Sequence, residues 1–338
     1  MTHDAHPLPL PGLDGLDPLG FLAALGCLVA TTEHCRAEGA REPSMSWQLG
    51  GRPIPVLHGP WGHGDALVEV LHDDLRRLAG RGSDEESRAP RDPFLELSYP
   101  DADGKPVHDL KPPPSVLREL AQGLVDQATP ERRRTVDWLS AVLTDVAVDG
   151  SGAAKPFALH FTAGQQRFGV VALELLDGKA GAKPGSAGRP VDAEDLRVAL
   201  HGPWPDDRTL KVFGWSPTQD RAYALRAVDP SGDTKLGTPG ADWLALRGIG
   251  LLSSAPVRDR IATSGVHGSW KRGTWSYPLW PMPLTAEVAR SLLRHPSVAP
   301  PDERRGSSTL PLGVEVLTCR ITRSEQGGYG ALSRPSRG

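Results

Sequence analysis

The segment Thr162–Phe168 places polar side chains where a strand is expected to give way to a helix. Gly164 permits an unusual backbone angle at that point, and Gln165, Gln166 and Arg167 follow at or near the helix start. Backbone N–H groups at a helix start favour a phosphate or a carboxylate, and glutamine amides can also hydrogen-bond base edges. The segment indicates either an anion- or base-binding turn or a polar turn whose side chains only connect adjacent loops.

The segment Ser269–Trp280 interleaves aromatic rings with cations. Lys271 and Arg272 lie between Trp270 and Trp275, and this combination is typical of surfaces that stack bases and hold phosphates. One alternative is that the tryptophans fill a core while the two cations occupy a loop tip. Another is that the tryptophans dock a protein partner.

These two segments and the last predicted strand supply the candidate site residues. The candidate nucleic-acid contacts are Gln165, Gln166, Arg167, Lys271, Arg272, Arg320 and Arg323. The candidate partner contacts are Trp270, Trp275 and Trp280. The first set predicts a basic surface that faces nucleic acid, and the second predicts an apolar surface for another protein.

The residue spacings that catalysis commonly uses are missing from the sequence. It contains no Gly-x-Ser-x-Gly, no Gly-x4-Gly-Lys-Ser/Thr, no Gly-x-Gly-x-x-Gly and no His-Glu-x-x-His. His58, His63 and Asp65 come nearest to a metal cluster, since imidazole and carboxylate groups could hold a divalent cation. Loop histidines at such spacing usually hydrogen-bond locally instead. We expect no catalytic residue, metal or cofactor, with a metal-dependent hydrolase as the alternative.

An apolar helix near the start of the chain is expected to organise the core. Asp17 is a natural N-cap, and Pro18 fits the first helical position because its missing N–H costs nothing there. Residues 19–30 contain no charged or strongly polar side chain, and a helix that is apolar all round is normally buried. The run is shorter than the roughly 20 residues of a membrane span. We therefore predict a buried core helix over 18–30.

The rest of the pattern predicts an α+β fold of low regularity. Helices and short strands alternate without a regular βαβ order. Short strands are expected at 45–49, 94–99, 157–161 and 314–322. Residues 53–60 are too rich in proline for a central strand.

The expected domain organisation has three parts. Residues 1–176 form an N-terminal α/β part that contains the buried helix, and 177–190 form a Gly/Ala/Lys/Pro linker or excursion. Residues 191–338 form a Trp-rich, basic C-terminal part. The alternative is one continuous domain.

Charge and cysteine content limit the function classes. The 338 residues carry a net charge of −3, which gives no overall attraction to nucleic acid, and the 38 Gly and 33 Pro predict many turns. Residues 258–338, however, hold twelve Lys and Arg against six Asp and Glu, so this last quarter is basic. Cys27, Cys35 and Cys319 are odd in number and lack zinc spacing, which favours a reducing, cytoplasmic setting.

Several segments resemble, in order, a CRISPR-associated family of type I-G (formerly I-U) systems, also described as an extension of the helicase–nuclease. The opening match is Leu-Pro-Gly-Leu-Asp-Gly-Leu-Asp-Pro-Leu-Gly-Phe-Leu-Ala-Ala-Leu-Gly at 10–26. Thr-Ala-Gly-Gln-Gln-Arg-Phe follows at 162–168, then His-Gly-Pro-Trp at 201–204 and Trp-Ser-Pro with Tyr-Ala-Leu-Arg-Ala-Val-Asp-Pro across 215–230. The last matches are Gly-Ala-Asp-Trp-Leu-Ala-Leu-Arg-Gly at 240–248, Trp-Ser-Tyr-Pro-Leu-Trp at 275–280 and Val-Leu-Thr-Cys-Arg-Ile-Thr at 316–322. Residues 81–114 and 177–190 lie outside the resemblance.

The resemblance implies a non-catalytic subunit of a type I CRISPR RNA-guided antiviral surveillance complex. The implied partners are the other effector subunits, guide RNA and target DNA through the complex, and the helicase–nuclease, with no membrane. Such a subunit assists target DNA recognition or recruits the helicase–nuclease. The family supplies no catalytic residues to transfer. A protein–protein adaptor without nucleic-acid contact remains the main alternative.

Overall fold

The fold is described from a computed structural model. The structure describes residues 6–81, 90–101, 103–126, 133–162, 167–178, 188–209, 211–219, 236–257, 260–300, 309–323 and 329–337. In these residues, helices mix irregularly with small antiparallel sheets, which confirms the α+β class.

The helices and strands of the described residues follow in chain order. The helices are α1 Pro18–Ala37, α2 Gly64–Leu78, α3 Pro114–Asp126, α4 Arg133–Val142, α5 Phe168–Asp177, α6 Ala193–His201, α7 Pro239–Gly248 and α8 Ala286–Leu293. The first strands are β1 His6–Pro9, β2 Ser44–Gln48, β3 Ile54–Gly59, β4 Tyr99–Pro100, β5 Pro106–Val107, β6 Arg208–Thr209 and β7 Leu236–Gly237. The later strands are β8 Ser254–Val257, β9 Arg260–Thr263, β10 Val266–Gly268, β11 Gly273–Leu279, β12 Glu315–Arg323, β13 Gly330–Leu332 and β14 Ser336–Arg337.

The strands form two larger antiparallel sheets and three short pairs. One sheet has the order β1-β3-β2. The other has the order β10-β11-β12-β13, with β14 also paired to β12. The pairs are β4 with β5, β6 with β7, and β8 with β9.

Helix α1 is the buried helix that the sequence predicts. Asp17 caps it, since its Oδ1 accepts a hydrogen bond from the Leu19 N–H at 2.9 Å, and Pro18 opens the first turn. The helix continues past the predicted end at residue 30 to Ala37. It is thereby long and apolar enough to cross a membrane, but 83% of its most apolar stretch is buried inside the protein. This burial is typical of the core helix of a soluble protein.

Helices α1 and α7 cross at unusually short range because glycines face each other there. A Cβ on Gly26 would lie 1.7 Å from the Leu244 carbonyl oxygen, and a Cβ on Gly248 would lie 2.0 Å from the Leu22 carbonyl oxygen. All ten residues of α7 are buried. The two helices therefore pack nearly backbone to backbone at the centre of the molecule.

Buried Arg247 of α7 is neutralised by carboxylates from other helices. Its Nε donates to Asp74 Oδ2 and its Nη2 to Glu33 Oε2, both at 2.9 Å. Burial alone would raise the pKa of Asp74, but Arg247, Arg77 and Arg134 hold it below the usual value. The network pairs each buried charge, as the interior requires.

The proline-rich strand β3 is central, which corrects the prediction for residues 53–60. Pro55 has no N–H to donate, yet its carbonyl accepts a hydrogen bond from the Leu10 N–H at 2.9 Å. The Leu10 carbonyl, which would otherwise face the missing donor, accepts the Leu13 N–H at 3.0 Å in a turn. The proline therefore leaves no unpaired acceptor in the sheet.

Two other predicted strands are absent from the described residues. At 94–99, Asp92 starts a turn instead, since its Oδ1 accepts the Phe94 N–H at 3.0 Å, and only Tyr99 enters a strand. At 157–161 three consecutive carbonyls bind side chains: Leu159 O accepts from Trp215 Nε1 at 3.0 Å, and Ala158 O and His160 O accept from Arg323. Side-chain partners thus override local strand patterning in both places.

One hydrophobic core joins the N-terminal and C-terminal parts of the chain. Phe21 of α1 lies 4.3 Å from Tyr277 and 6.0 Å from Trp275, ring centre to ring centre, in β11. It also lies 5.8 Å from Trp47 in β2. The parts 1–176 and 191–338 therefore share a core, as in the continuous-domain alternative, while 179–187 of the expected linker lie outside the described residues.

Candidate nucleic-acid interface

The hairpin turn between β10 and β11 carries the predicted cations at its tip. Gly268 and Gly273 close the hairpin as a register pair, which leaves residues 269–272 in the loop. The Arg272 N–H donates to Ser269 Oγ at 3.2 Å, and this bond holds the loop in a compact turn. Lys271 and Arg272 are exposed, so their charges face outward.

Trp270 is exposed on the same turn but held in one orientation. Its side chain is 45% exposed, which is unusual for so large an apolar ring. The guanidinium carbon of Arg323 lies 3.6 Å from the centre of its ring, and Arg323 Nε donates to the Trp270 carbonyl at 3.1 Å. A cation–π contact and a hydrogen bond from one arginine thus fix the ring in place.

Arg323 itself is a structural residue rather than a free phosphate-binding cation. Its Nη1 donates to the His160 carbonyl at 2.7 Å and its Nη2 to the Ala158 carbonyl at 2.6 Å. Burial lowers its pKa to about 9, so the group is still a cation at neutral pH. Three of its five N–H donors bind carbonyls and its guanidinium stacks on Trp270, so Arg323 holds the fold together, which corrects its assignment as a nucleic-acid contact.

Trp275 and Trp280 belong to the core, so they do not fit the predicted role of partner contacts. Trp275 is 1% exposed and Trp280 is 0% exposed. The Trp280 Nε1–H donates to the Met45 carbonyl at 2.6 Å, which joins the residue after β11 to β2. Buried rings offer no surface for docking, and of the three predicted tryptophans only Trp270 is accessible.

Arg320 is exposed on β12, where its register partner is Thr274 at the start of β11. It therefore lies on the sheet whose β10–β11 turn carries Lys271 and Arg272. Arg323 lies three positions further along β12, where its side chain binds backbone carbonyls instead of facing solvent.

A groove of about 470 Å³ lies beside the turn and includes Trp270 in its lining. Three cations from separate parts of the chain, Lys111, Lys155 and Arg260, line it together with the carboxylate of Asp149. Its apolar lining includes Val257, Ile261, Val266 and Ile321. The groove combines an aromatic ring, apolar surface and an excess of positive charge.

The groove floor is held by hydrogen bonds between β8, β9 and the segment after residue 155. Thr263 Oγ1 accepts the Ala158 N–H at 2.9 Å, and it lies 3.1 Å from Ser254 Oγ. Ser254 Oγ also donates to the Ala141 carbonyl at 2.5 Å. These bonds make the groove a preformed feature.

The helix start predicted as an anion site holds the chain's own carboxylate. Arg167 is the N-cap residue of α5, and the Phe168 N–H donates to Asp109 Oδ1 at 3.2 Å. A Cβ on Gly169 would lie 2.8 Å from the His108 carbonyl oxygen, so this helix start packs closely on the 108–109 segment. Gln165 and Gln166 lie outside the described residues. The carboxylate of Asp109 therefore lies at the start of α5, where the sequence predicts a bound phosphate from outside the chain.

Asp109, His160 and Thr162 lie together but are not arranged as a catalytic triad. His160 Nε2 lies 3.3 Å from Asp109 Oδ1 and 3.1 Å from Thr162 Oγ1. A triad needs the carboxylate and the nucleophile on different ring nitrogens, whereas here both contact the same one. Burial lowers the pKa of His160 despite the neighbouring Asp109, so the ring is neutral at pH 7.

His58, His63 and Asp65 each have a different partner. His58 Nε2 lies 2.9 Å from Ser46 Oγ, while His63 Nδ1 accepts the Ala66 N–H at 3.3 Å as the N-cap of α2. Asp65 accepts a hydrogen bond from Arg197 Nε at 3.2 Å. Among the described residues, no group of three His, Cys, Asp or Glu side chains could hold a metal ion.

The sequence pattern does not identify the cations of the groove. Lys111 follows a turn, Lys155 precedes Pro156, and Arg260 opens β9. No common spacing connects positions so far apart. The Ala158 N–H bond to Thr263 Oγ1 joins β9 to the segment after Lys155, and the Ala154 N–H bond to the Pro112 carbonyl joins the residue before Lys155 to the residue after Lys111.

Comparison with protein-family models, curated proteins and solved structures finds no match for this chain. Support for a function therefore comes from the geometry of the turn and groove and from the sequence resemblance.

Proposed function

We propose that this protein is a non-catalytic subunit of a type I CRISPR RNA-guided complex whose hairpin turn contacts nucleic acid. The observation that carries the proposal is the tip Trp270-Lys271-Arg272, where a fixed, exposed indole adjoins two exposed cations. Aromatic rings beside cations suit a strand that presents both bases and phosphates. Arg320 extends the positive surface along β12.

The resemblance to the type I-G family supports the assignment to a complex. The other effector subunits, guide RNA, target DNA and the helicase–nuclease are then the partners, and the protein acts in the cytoplasm. All three cysteines are free and buried, which suits a reducing compartment. The subunit assists target DNA recognition or recruitment of the helicase–nuclease.

Each candidate catalytic side chain has its own structural partner or lies buried, which agrees with a non-catalytic role. His63 caps a helix, Asp65 pairs with Arg197, and His160 is buried and neutral. A nuclease assay on the purified chain with divalent cations tests this role. Cleavage that is abolished by His63→Ala would instead favour the hydrolase.

The nucleic-acid contact is tested by binding of labelled DNA and RNA to the full chain at several salt concentrations. Lys271→Ala, Arg272→Ala and Arg320→Ala should each weaken binding of all sequences about equally. Each should also lower the slope of log affinity against log salt by roughly one unit, because each loses one phosphate contact. Arg41→Ala is the matched control, since Arg41 is exposed but lies in the loop after α1.

Unchanged affinity and slope in all three variants would remove the turn from the interface. Co-purification of the tagged chain with the other effector subunits and guide RNA tests membership of the complex. If the parent chain binds neither DNA nor RNA while Trp270→Ala loses the partner subunits, the chain is an adaptor. A complex that assembles fully without the chain would contradict both roles.

A further inference from the structure

We infer that the groove beside Trp270 is a binding site for one unpaired nucleotide, with its base against the indole and its phosphate among Lys111, Lys155 and Arg260. The inference deepens the proposed function and rests on it in part, because an unpaired nucleotide of a bound strand is one source of this ligand. A free nucleoside phosphate is the other source. The two share the same chemistry.

The stacking half of the site is Trp270. Arg323 covers part of its ring at 3.6 Å, and Phe161 lies 4.8 Å from the same guanidinium, so ring and cation form a supported stack. Trp270 is also part of the groove lining. Every base has a π-face, so stacking on such a platform tolerates any base.

The charged half of the site favours an anion. Among the described residues, three cations line the groove against one carboxylate, Asp149. Asp149 Oδ1 already accepts hydrogen bonds from the Ser151 N–H at 2.8 Å and the Ser151 hydroxyl at 2.6 Å, which hold this carboxylate in its own turn. Lys111 also acts on this carboxylate and helps to lower its pKa, so part of the positive charge is already balanced. Across the described lining the cations still outnumber the carboxylate, which favours an anion.

The shape of the groove selects an unpaired base. Its volume of about 470 Å³ suits a single small ligand, and Val257, Ile261 and Ile321 add apolar surface for a ring. Bases within a duplex are stacked on each other, so their faces cannot reach Trp270 unless they leave the stack. The groove thus distinguishes an unpaired nucleotide from duplex.

Calorimetric titration of the full chain with adenosine monophosphate, adenosine, inorganic phosphate and a single-stranded oligonucleotide tests the site. The monophosphate or the oligonucleotide should bind, and adenosine and phosphate should bind more weakly than the monophosphate. Trp270→Ala should weaken binding about 5- to 150-fold, the range expected for loss of one base stack. Trp270→Phe should stay close to the parent because it keeps a ring.

Arg260→Ala gives an independent test that leaves the aromatic stack in place. It should weaken binding of the monophosphate but not of adenosine, and Arg41→Ala should change neither. Binding of the monophosphate identifies a free nucleotide as a source, and Trp270-dependent binding of the oligonucleotide alone identifies a strand. Absence of both, or equal binding by parent, Trp270→Ala and Arg260→Ala, overturns the site.

Failure of this site is distinguishable from failure of the proposed function. If Lys271→Ala and Arg272→Ala lower the salt slope while Trp270→Ala and Arg260→Ala bind as the parent does, the groove is wrong and the nucleic-acid contact stands. If Trp270→Ala and Arg260→Ala lose nucleotide binding while Lys271→Ala and Arg272→Ala keep the parental slope, the groove stands and the phosphate contacts of Lys271 and Arg272 are wrong.

Discussion

Arg320 and Arg323 lie three positions apart on β12, yet they occupy opposite environments. Arg320 is exposed, whereas Arg323 binds the carbonyls of Ala158, His160 and Trp270. The sequence shows two similar cations at the end of a strand, and only the partners of each side chain separate a surface charge from a structural one.

Arg323→Lys should lower the free energy of unfolding by about 1–3 kcal/mol, since a lysine cannot bind three carbonyls and stack on two rings at once. Arg320→Lys is the matched control and should unfold as the parent does. Denaturant unfolding followed by circular dichroism measures both. Equal stability of the two variants would show that the carbonyl contacts of Arg323 contribute nothing.

Asp17 caps helix α1, but its side chain lies where burial disfavours a negative charge. Burial raises its pKa to about 6, with Asp14 and Asp206 adding to the shift and hydrogen bonds from Leu19 and Ser216 opposing it. A raised carboxyl pKa means that the folded state binds the proton more tightly than the unfolded state. Protonation of Asp17 therefore stabilises the folded state. This contribution to the free energy of unfolding is complete below about pH 4 and is lost as the pH rises through about 6.

Asp17→Asn should remove this pH dependence, because asparagine resembles the protonated acid and still caps the helix. The free energy of unfolding of the parent should fall by up to about 3 kcal/mol more than that of the variant between pH 4 and 7.5. Denaturant unfolding at a series of pH values measures the difference. The exposed Asp103→Asn should follow the parent, and an identical pH profile for Asp17→Asn would contradict the raised pKa.

The elements differ in how far local sequence determines them. The cap at Asp17 and the unbroken apolar run predict α1, and its burial is confirmed. Strand β3 is not predictable in the same way, because Pro55 is tolerated only through a turn at Leu10–Leu13 that lies far away in sequence. Residues 157–161 have a strand pattern, but three of their carbonyls are bound by the side chains of Trp215 and Arg323.

Gly26→Ala should destabilise the protein by about 3 kcal/mol or more, because a Cβ there would overlap the α7 backbone at Leu244. Gly123→Ala is the matched control within another helix, where a Cβ meets nothing within 4 Å. That change should stabilise by up to about 1 kcal/mol through helix propensity. Thermal unfolding of both variants measures the effect. A Gly26→Ala variant as stable as the parent would contradict the close packing of α1 and α7.

For the whole molecule, the shared core explains why the site was only partly predictable. The turn cations Lys271 and Arg272 are adjacent in sequence, so composition alone identifies them. The groove requires residues 111, 155 and 260 to meet, and they do so because both parts of the chain fold around α1 and α7. The spacing of residues within one strand or helix cannot predict that residues from such distant parts of the chain will line the same groove.

Ultraviolet crosslinking of a bound single-stranded oligonucleotide to the full chain, followed by mapping of the crosslinked peptides, tests the central claim most directly. The account predicts crosslinks in the turn 269–272, above all at Trp270, and their loss in Trp270→Ala while a denaturant assay shows that the variant is folded. Crosslinks confined to other parts of the chain, with none in this turn, would contradict it.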